Sequence, residues 1–209
     1  MKKDVGEPTT ATAIFLKPNS GMLAKHAFLA AASQCAALGE HPAIIPVLFQ
    51  CMRTDPAFVL TEPALSTLKT ALVSLAPTDR TAAQLSVAAI ARILLQLSEG
   101  ILFLHENEYY HPDLGARAIH YDSEHRVAIK LLDIDRELHA DDYCSHSSRG
   151  LRPIRWMAPE SLVDDVTTTL TMVWMFGVVF WEVRAIPVAA VLPLLLVRGC
   201  VALQGALAV

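Results

Sequence analysis

The sequence lacks the features that would assign a function at first sight. Lysine and arginine number 17 against 21 aspartate and glutamate residues, so the formal net charge is −4 and nothing in the composition favours binding to nucleic acid or anionic lipid. The four cysteines are far apart and form no CxxC or Cys/His ligand pattern, so no zinc site is predicted. Reduced thiols in a cytosolic compartment are the simpler interpretation, and we predict a cytoplasmic protein.

An uninterrupted apolar run of membrane-spanning length is also missing. Two lysines near the N-terminus are followed by Asp4 rather than by a long apolar stretch, so no signal peptide is predicted. The C-terminal segment 185–209 is nearly all apolar, but Pro187, Pro193 and Arg198 interrupt it. Because a bilayer requires about 20 consecutive apolar residues, a buried or poorly folded tail is favoured over a membrane anchor.

The sequence is rich in residues that can form a hydrophobic core. Of the 209 residues, 53% are hydrophobic and 18% are charged, which suits one folded domain or part of a larger one. Periodicity and turn residues predict strands over 11–18, 43–52, 57–63 and 127–135, helices over 21–42, 66–73, 82–107 and 169–183, and a polar loop over 136–151. This order predicts a two-lobed α+β protein with a cleft between the lobes.

Four sequence blocks occur in a fixed order and carry a more specific signal. They are HPDLGAR (111–117), DID (133–135), PIRWMAPESL (153–162) and VWMFGVVFWEV (173–183). Together they resemble the protein tyrosine kinases, in particular those of the receptor type. The LGAR part is closer to the tyrosine kinase form than to the serine/threonine form, and PIRWMAPESL is the most specific block.

The resemblance covers roughly residues 10–183 and implies an incomplete two-lobed protein-kinase-like fold. The Gly-rich loop of the small lobe and the last helices of the large lobe have no counterpart in the sequence. We therefore divide the chain into an N-terminal tail (1–10), a partial small lobe with its hinge (11–64), a partial large lobe (65–184) and an apolar tail (185–209). The tail does not resemble what the family has there.

The resemblance also implies a set of nucleotide and metal contacts. Asp113 stands at the position of the catalytic base, and Asp133 stands at the position of the carboxylate that holds Mg²⁺. At the hinge, Thr61 would form the deep wall of the ATP pocket, while the Glu62 carbonyl and the Ala64 N–H would meet the adenine edge. ATP and Mg²⁺ are thus the expected cofactors, and a protein is the expected substrate or partner.

Tyr143 stands where tyrosine kinases carry a phosphorylation site in the activation segment. A plain exposed tyrosine is the rival interpretation. Pro112 replaces the arginine that would couple a phosphate at this site to the catalytic loop, and proline offers no charge to a phosphate.

Several other charged positions of the family are apolar here. Aligning the first strand without a gap places Ile14 at the phosphate-binding lysine, and a shift of one places Phe15 there. Ala31 stands where the partner glutamate of that lysine is expected. Lys17 is three residues from Ile14, so on a strand it points to the other face.

The large lobe shows comparable losses. Ala118 replaces the asparagine that holds the second metal, and alanine has no ligand atom. Met172 replaces an aspartate that anchors the catalytic loop. Glu160 would lack the arginine that pairs with it in the family.

Three functional hypotheses follow from these observations. The first in rank is a pseudokinase that acts as a binding or scaffolding module. An active protein tyrosine kinase is the alternative that Asp113 and Asp133 favour. A truncated product that does not fold alone is the third, because the apolar tail and the missing ends would leave apolar surface uncovered.

Overall fold

The computed structural model describes residues 10–17, 20–51, 53–54, 56–63, 66–74, 85–132, 142–146 and 150–185. The element order is β1 (Thr12–Phe15), α1 (Met22–Ala37), β2 (Val47–Cys51), β3 (Phe58–Thr61), α2 (Leu68–Ser74), α3 (Val87–Glu106), a 3-10 turn (Ala116–Ala118), β4 (Ile119–Tyr121), β5 (Val127–Ile129), β6 (Cys144–His146), β7 (Gly150–Arg152), α4 (Pro159–Val163) and α5 (Thr169–Ala185).

The first half of the described chain forms a small three-stranded antiparallel sheet with one helix against it. The strand order is β1-β3-β2, and Ile14 pairs with Val59 in the central register. Val59 is fully buried, whereas Phe15 and Phe49 are exposed and contact the Phe58 ring on the outer face. Helix α1 packs against β2. The sheet is therefore apolar on both faces.

The second half of the described chain is built around the long helix α3. Ser86 caps its N-terminus by accepting the Ala89 N–H at 3.1 Å, which is the usual role of serine at this position. Ile93, Leu97 and Leu104 recur at helical spacing and are fully buried in the core. Helix α5 packs against α3 and is also apolar, so the two helices form the centre of this lobe.

By length and composition, α3 is also the one helix in the described part of the chain that could cross a membrane, with a mean hydropathy of 1.8. The core helices of soluble proteins pass the same test. The buried side chains of α3 pack within the molecule, as a core helix requires.

Backbone hydrogen bonds join the two halves close to α3. The Ile45 N–H donates to the Ile129 carbonyl at 3.0 Å, and the Ile129 N–H donates to the Ala43 carbonyl at 2.7 Å. Gly100 permits this close packing, because a Cβ there would lie 3.0 Å from the Ala43 Cβ and 3.1 Å from Ile129 Cδ1. The link places the small sheet beside the loop that follows α3.

The architecture confirms the predicted α+β fold and corrects details of it. Residues 136–151 were predicted as a loop, yet β6 and β7 form an antiparallel hairpin with Cys144 opposite Arg152. Strand β4 was not predicted, and β5 ends at Ile129 rather than at residue 135. Helix α3 begins at Val87, five residues later than predicted. A strand of three residues is too short for its sequence pattern to distinguish it from a loop.

Candidate active site

His111 anchors the loop that follows α3. Its ring is fully buried, its Nδ1 accepts the Asp113 N–H at 3.1 Å, and its Nε2 lies 2.9 Å from the Lys130 carbonyl. A neutral ring that accepts at Nδ1 carries its proton on Nε2, which then donates to the carbonyl. Burial lowers the pKa of His111, in agreement with a neutral ring. The imidazole thus fixes the backbone on both sides of the loop.

Asp113 lies at the end of this loop with both carboxylate oxygens engaged. It is only 1% exposed, and its Oδ1 forms an ion pair with Arg117 Nη2, four residues later in the chain. Its Oδ2 accepts a hydrogen bond from the Tyr143 hydroxyl at 2.6 Å. A carboxylate held in this way can accept a proton from a hydroxyl, and the hydroxyl that occupies it here belongs to the chain itself.

Arg117 is the centre of a buried charged cluster that also contains Asp113, Tyr143 and Asp142. Its guanidinium lies 4.0 Å from the Trp156 ring centroid and 5.1 Å from that of Tyr143. Its Nε donates to the Tyr143 hydroxyl at 3.1 Å, and its Nη1 lies 3.7 Å from Asp142 Oδ2. The cluster therefore surrounds a fully buried arginine with two carboxylates and two aromatic faces, and it leaves the Arg117 Nη1 without a hydrogen-bond partner among the described residues.

Gly115 gives Arg117 the space that it occupies. A Cβ at Gly115 would lie 2.7 Å from Arg117 Nη1 and 3.1 Å from the Trp156 indole nitrogen. The glycine backbone is extended, so the requirement for glycine comes from the close approach and not from a left-handed conformation.

One further buried acid and one lysine hold the cluster in place, and sequence reasoning missed both. Glu182 is 3% exposed, and its Oε2 accepts the Ala116 N–H at 2.9 Å. Burial raises the pKa of Glu182, against the lowering effect of the hydrogen bonds and of Arg117. Lys69 of α2 pairs with Asp142 at 2.5 Å. A lone acid within the apolar block VWMFGVVFWEV was the signal for Glu182, because a buried carboxylate needs a partner.

Met172 occupies the position that the resemblance assigns to an anchoring aspartate. It is fully buried, and its Sδ accepts the His111 N–H at 3.4 Å. A thioether is a weak acceptor, so the contact keeps the geometry of an anchor with less strength than a carboxylate would supply.

The described residues enclose a small, mainly apolar cavity at the predicted nucleotide cleft. The described cavity beside Thr61 has a volume of about 10 Å³. It is lined by Thr12, Ile14, Ile45, Val47, Thr61, Lys130, Leu131 and Leu132. Ile14 faces this cavity, whereas Phe15 is 58% exposed, which favours the alignment without a gap. Lys130 is a cation in the wall that sequence reasoning did not single out.

The hinge and metal positions are described only in part. The Thr61 hydroxyl donates to the Glu62 carbonyl at 3.1 Å, so that carbonyl already has one donor. Ala64 and Asp133 lie outside the described residues. Ala118 is fully buried and offers no ligand atom. Among the described residues no group of three His, Cys, Asp or Glu side chains is arranged to hold a metal ion.

Tyr143 is the predicted site residue whose position differs most from expectation. It is 7% exposed rather than an exposed tyrosine. Burial and the hydrogen bond to Asp113 raise the pKa of Tyr143 to about 12. A phosphate could reach this hydroxyl only if the segment moved away from Asp113.

Comparison with known proteins supports the family resemblance that the sequence blocks carry. The family model for protein tyrosine and serine/threonine kinases matches residues 4–191. The chain belongs to the protein tyrosine kinase family. Its similar relatives include the insulin receptor of Xenopus laevis, which is 32% identical over 191 residues, or 88% of this chain and 14% of the receptor.

Two further relatives show the same relationship. The insulin-like growth factor 1 receptor of Bos taurus is 31% identical over 185 residues, which cover 86% of this chain and 29% of that protein. The human insulin receptor-related protein is 33% identical over 160 residues, which cover 75% of this chain and 12% of that protein. The chain thus spans less than a third of the length of each of these relatives.

Proposed function

We propose that this tyrosine kinase domain is a pseudokinase, which binds protein partners without useful phosphoryl transfer. The observation that carries the proposal is the apolar lining of the cleft. Ile14 lines this cavity at the position that the alignment without a gap gives to the phosphate-binding lysine. Ala31 stands where the partner glutamate is expected, and it lines a separate cavity with Tyr109 and Pro112. Phosphoryl transfer depends on charges that position the phosphates and neutralise them. Loss of both members of this pair is expected to disable the reaction.

The described residues of the cleft offer few groups that would hold ATP and Mg²⁺ as cofactors. The cavity that the described residues enclose has a volume of about 10 Å³, which is room for roughly one water molecule. Lys130 is a cation in its wall, but Ala118 cannot contribute to a second metal site. We therefore derive no step through the nucleotide. Were a nucleotide to bind, Thr61, Glu62 and Ala64 would contact its base, and Asp133 would hold its metal ion.

The state of the catalytic base supports the same proposal. Both oxygens of Asp113 are engaged by groups of the chain, and Tyr143 occupies the place of a substrate hydroxyl. A protein substrate would have to displace a buried tyrosine before it met the base. The charged cluster acts here as a structural element, and binding of a protein partner needs only the surface that the cluster supports.

A thermal melt of the purified chain with and without ATP and Mg²⁺ tests the proposal. We expect a cooperative transition that does not move, and no phosphorylation of a tyrosine peptide above the level of Asp113→Asn. A ligand at a hundredfold excess over Kd would stabilise the fold by about 2.7 kcal/mol, so binding would be visible. The matched variant Lys130→Met shows whether any shift depends on the cation in the cavity wall.

An active protein tyrosine kinase is the second candidate, favoured by the position of Asp113 and the intact His111 support. It predicts turnover that Asp113→Asn abolishes, and that result would overturn the pseudokinase proposal. Absence of any cooperative transition would instead indicate a fragment that does not fold alone. A cytoplasmic location stays a prediction from the sequence.

A further inference from the structure

Helix α5 has a second apolar face, which lies opposite the face that packs in the core. Met172, Met175, Val179 and Val183 form the core face, and none of them is more than 3% exposed. The other face carries five large apolar side chains that are between 45% and 73% exposed, namely Leu170, Val173, Trp174, Phe180 and Trp181. Their spacing of three, four and seven residues places them in one stripe along the helix.

Gly177 lies within this stripe and leaves a notch in it. A Cβ built at Gly177 would meet no other atom within 4 Å. Trp174 and Trp181 are three and four residues from the glycine, so the notch is flanked by two half-exposed indole rings. A contiguous apolar stripe with a notch is the kind of surface that an apolar segment covers.

We propose that residues 186–209 of the same chain cover this stripe. These 24 residues follow directly from the end of α5, and Arg198 is the one charged residue among them. Their apolar composition matches the stripe, and they are joined to it covalently. A tethered segment has an effective concentration in the millimolar range, which favours it over a free partner or a second copy.

The length and the prolines of the segment suit this role. Helix α5 has 17 residues and is about 25 Å long at about 1.5 Å per residue. Even as a compact helix the 22 residues after Pro187 would span about 33 Å, enough to run back along the whole of α5. Pro187 comes two residues after the end of α5, and a proline at such a position disfavours continuation of a helix. Pro193 and Arg198 interrupt the apolar runs, which disfavours a membrane span.

A photocrosslinking experiment on the full chain tests the inference. A photoreactive phenylalanine analogue replaces Trp174 on the stripe, and in a control protein it replaces Val87, which is 76% exposed on α3. We expect crosslinks from position 174 to peptides of 186–209 within one chain, and none to that segment from position 87. Crosslinks between two chains, or to lipid when vesicles are added, would overturn the inference, as would the absence of crosslinks to the segment.

Tryptophan quenching by acrylamide gives a second, independent readout. Of the three tryptophans, Trp156 is buried, so quenching reports mainly on Trp174 and Trp181. We expect low accessibility in the full chain at any dilution, and a rise toward that of free tryptophan in Leu195→Asp. The control Val87→Asp should leave the accessibility unchanged. High accessibility in the unmodified chain, or protection that is lost on dilution, would contradict cover by the chain's own tail.

Discussion

The catalytic loop and the small-lobe cleft of this chain differ in the charged residues that they contain. The loop keeps a buried cluster of charges, in which Arg117, Asp113 and Asp142 are held with Tyr143. The cleft has apolar Ile14 in its wall where the family has a charged residue. The charged cluster is fully enclosed by protein, whereas the lost charges of the cleft would face a nucleotide.

The difference follows from the cost of leaving a buried charge without a partner. Removal of one member of a buried ion pair costs about 3–5 kcal/mol, which is a large part of a domain's stability. Replacement of both members by apolar groups can be neutral for folding. In the alignment without a gap, Ile14 and Ala31 replace both members of the pair that the family has at its cleft. The cluster in the loop cannot be reduced stepwise without a penalty, so we infer that its retention reflects the stability of the fold rather than catalysis.

The largest expected effect is that of Arg117→Met. This change leaves Asp113 and Asp142 buried near each other without their shared guanidinium, so the free energy of unfolding should fall by about 3–5 kcal/mol. Urea unfolding measures the change. The matched control is Arg126→Met, which removes an exposed ion pair with Asp122 and should leave the free energy nearly unchanged. Equal effects of the two variants would contradict the comparison between buried and solvated charges.

Tyr143→Phe is expected to have an intermediate effect. It removes one donor to Asp113 and one acceptor for Arg117, so the free energy of unfolding should fall by about 1–3 kcal/mol. The pKa of Tyr143 is raised from 10 to about 12, so its contribution is fully present below pH 10 and is lost as the pH rises through 12.

Measurement of the free energy of unfolding at neutral pH and between pH 10 and 12 checks the direction of this pH dependence. The difference between the unmodified chain and Tyr143→Phe should shrink across that alkaline window. A difference that grows with pH would show that Asp113 does not hold the protonated form of Tyr143.

Met172→Leu tests the weak anchor beneath the catalytic loop. Leucine has a similar volume but cannot accept the His111 N–H, so we expect a loss of about 1 kcal/mol. Met175→Leu is the control, because Met175 is also buried on the core face of α5. In thermal unfolding, Met172→Leu should have a lower melting temperature than Met175→Leu. If the two melt alike, the sulfur contact contributes no stability.

Ile14→Val should have the smallest effect. The side chain is only partly buried beside a small cavity, so loss of one methylene should cost about 0.5 kcal/mol. ATP should still leave the melting temperature unchanged. A loss comparable with that of Arg117→Met would show that the cleft is as tightly constrained as the loop.

Sequence patterns were sufficient for the long apolar elements and insufficient for the short polar ones. The helices around Leu97 and Val179 were predicted, because a periodic apolar stripe has few other stable arrangements. The hairpin of β6 and β7 was missed, since its backbone pairing leaves no apolar alternation in the sequence. The role of Met172 as an acceptor was also missed, because a methionine in an apolar helix has no visible polar function.

The sequence by itself determined the family, and it predicted the role of Asp113 and the apolar replacements at Ile14, Ala31 and Ala118, because these depend only on which residue stands in which motif. Only the tertiary structure decided that the Tyr143 hydroxyl donates to the carboxylate of Asp113 and that Glu182 accepts a backbone N–H of the loop. These groups lie 30 and 66 residues from the partners that they contact. Contacts over such separations depend on how α5 and the activation segment pack around the loop, and local sequence patterns carry no information about that packing.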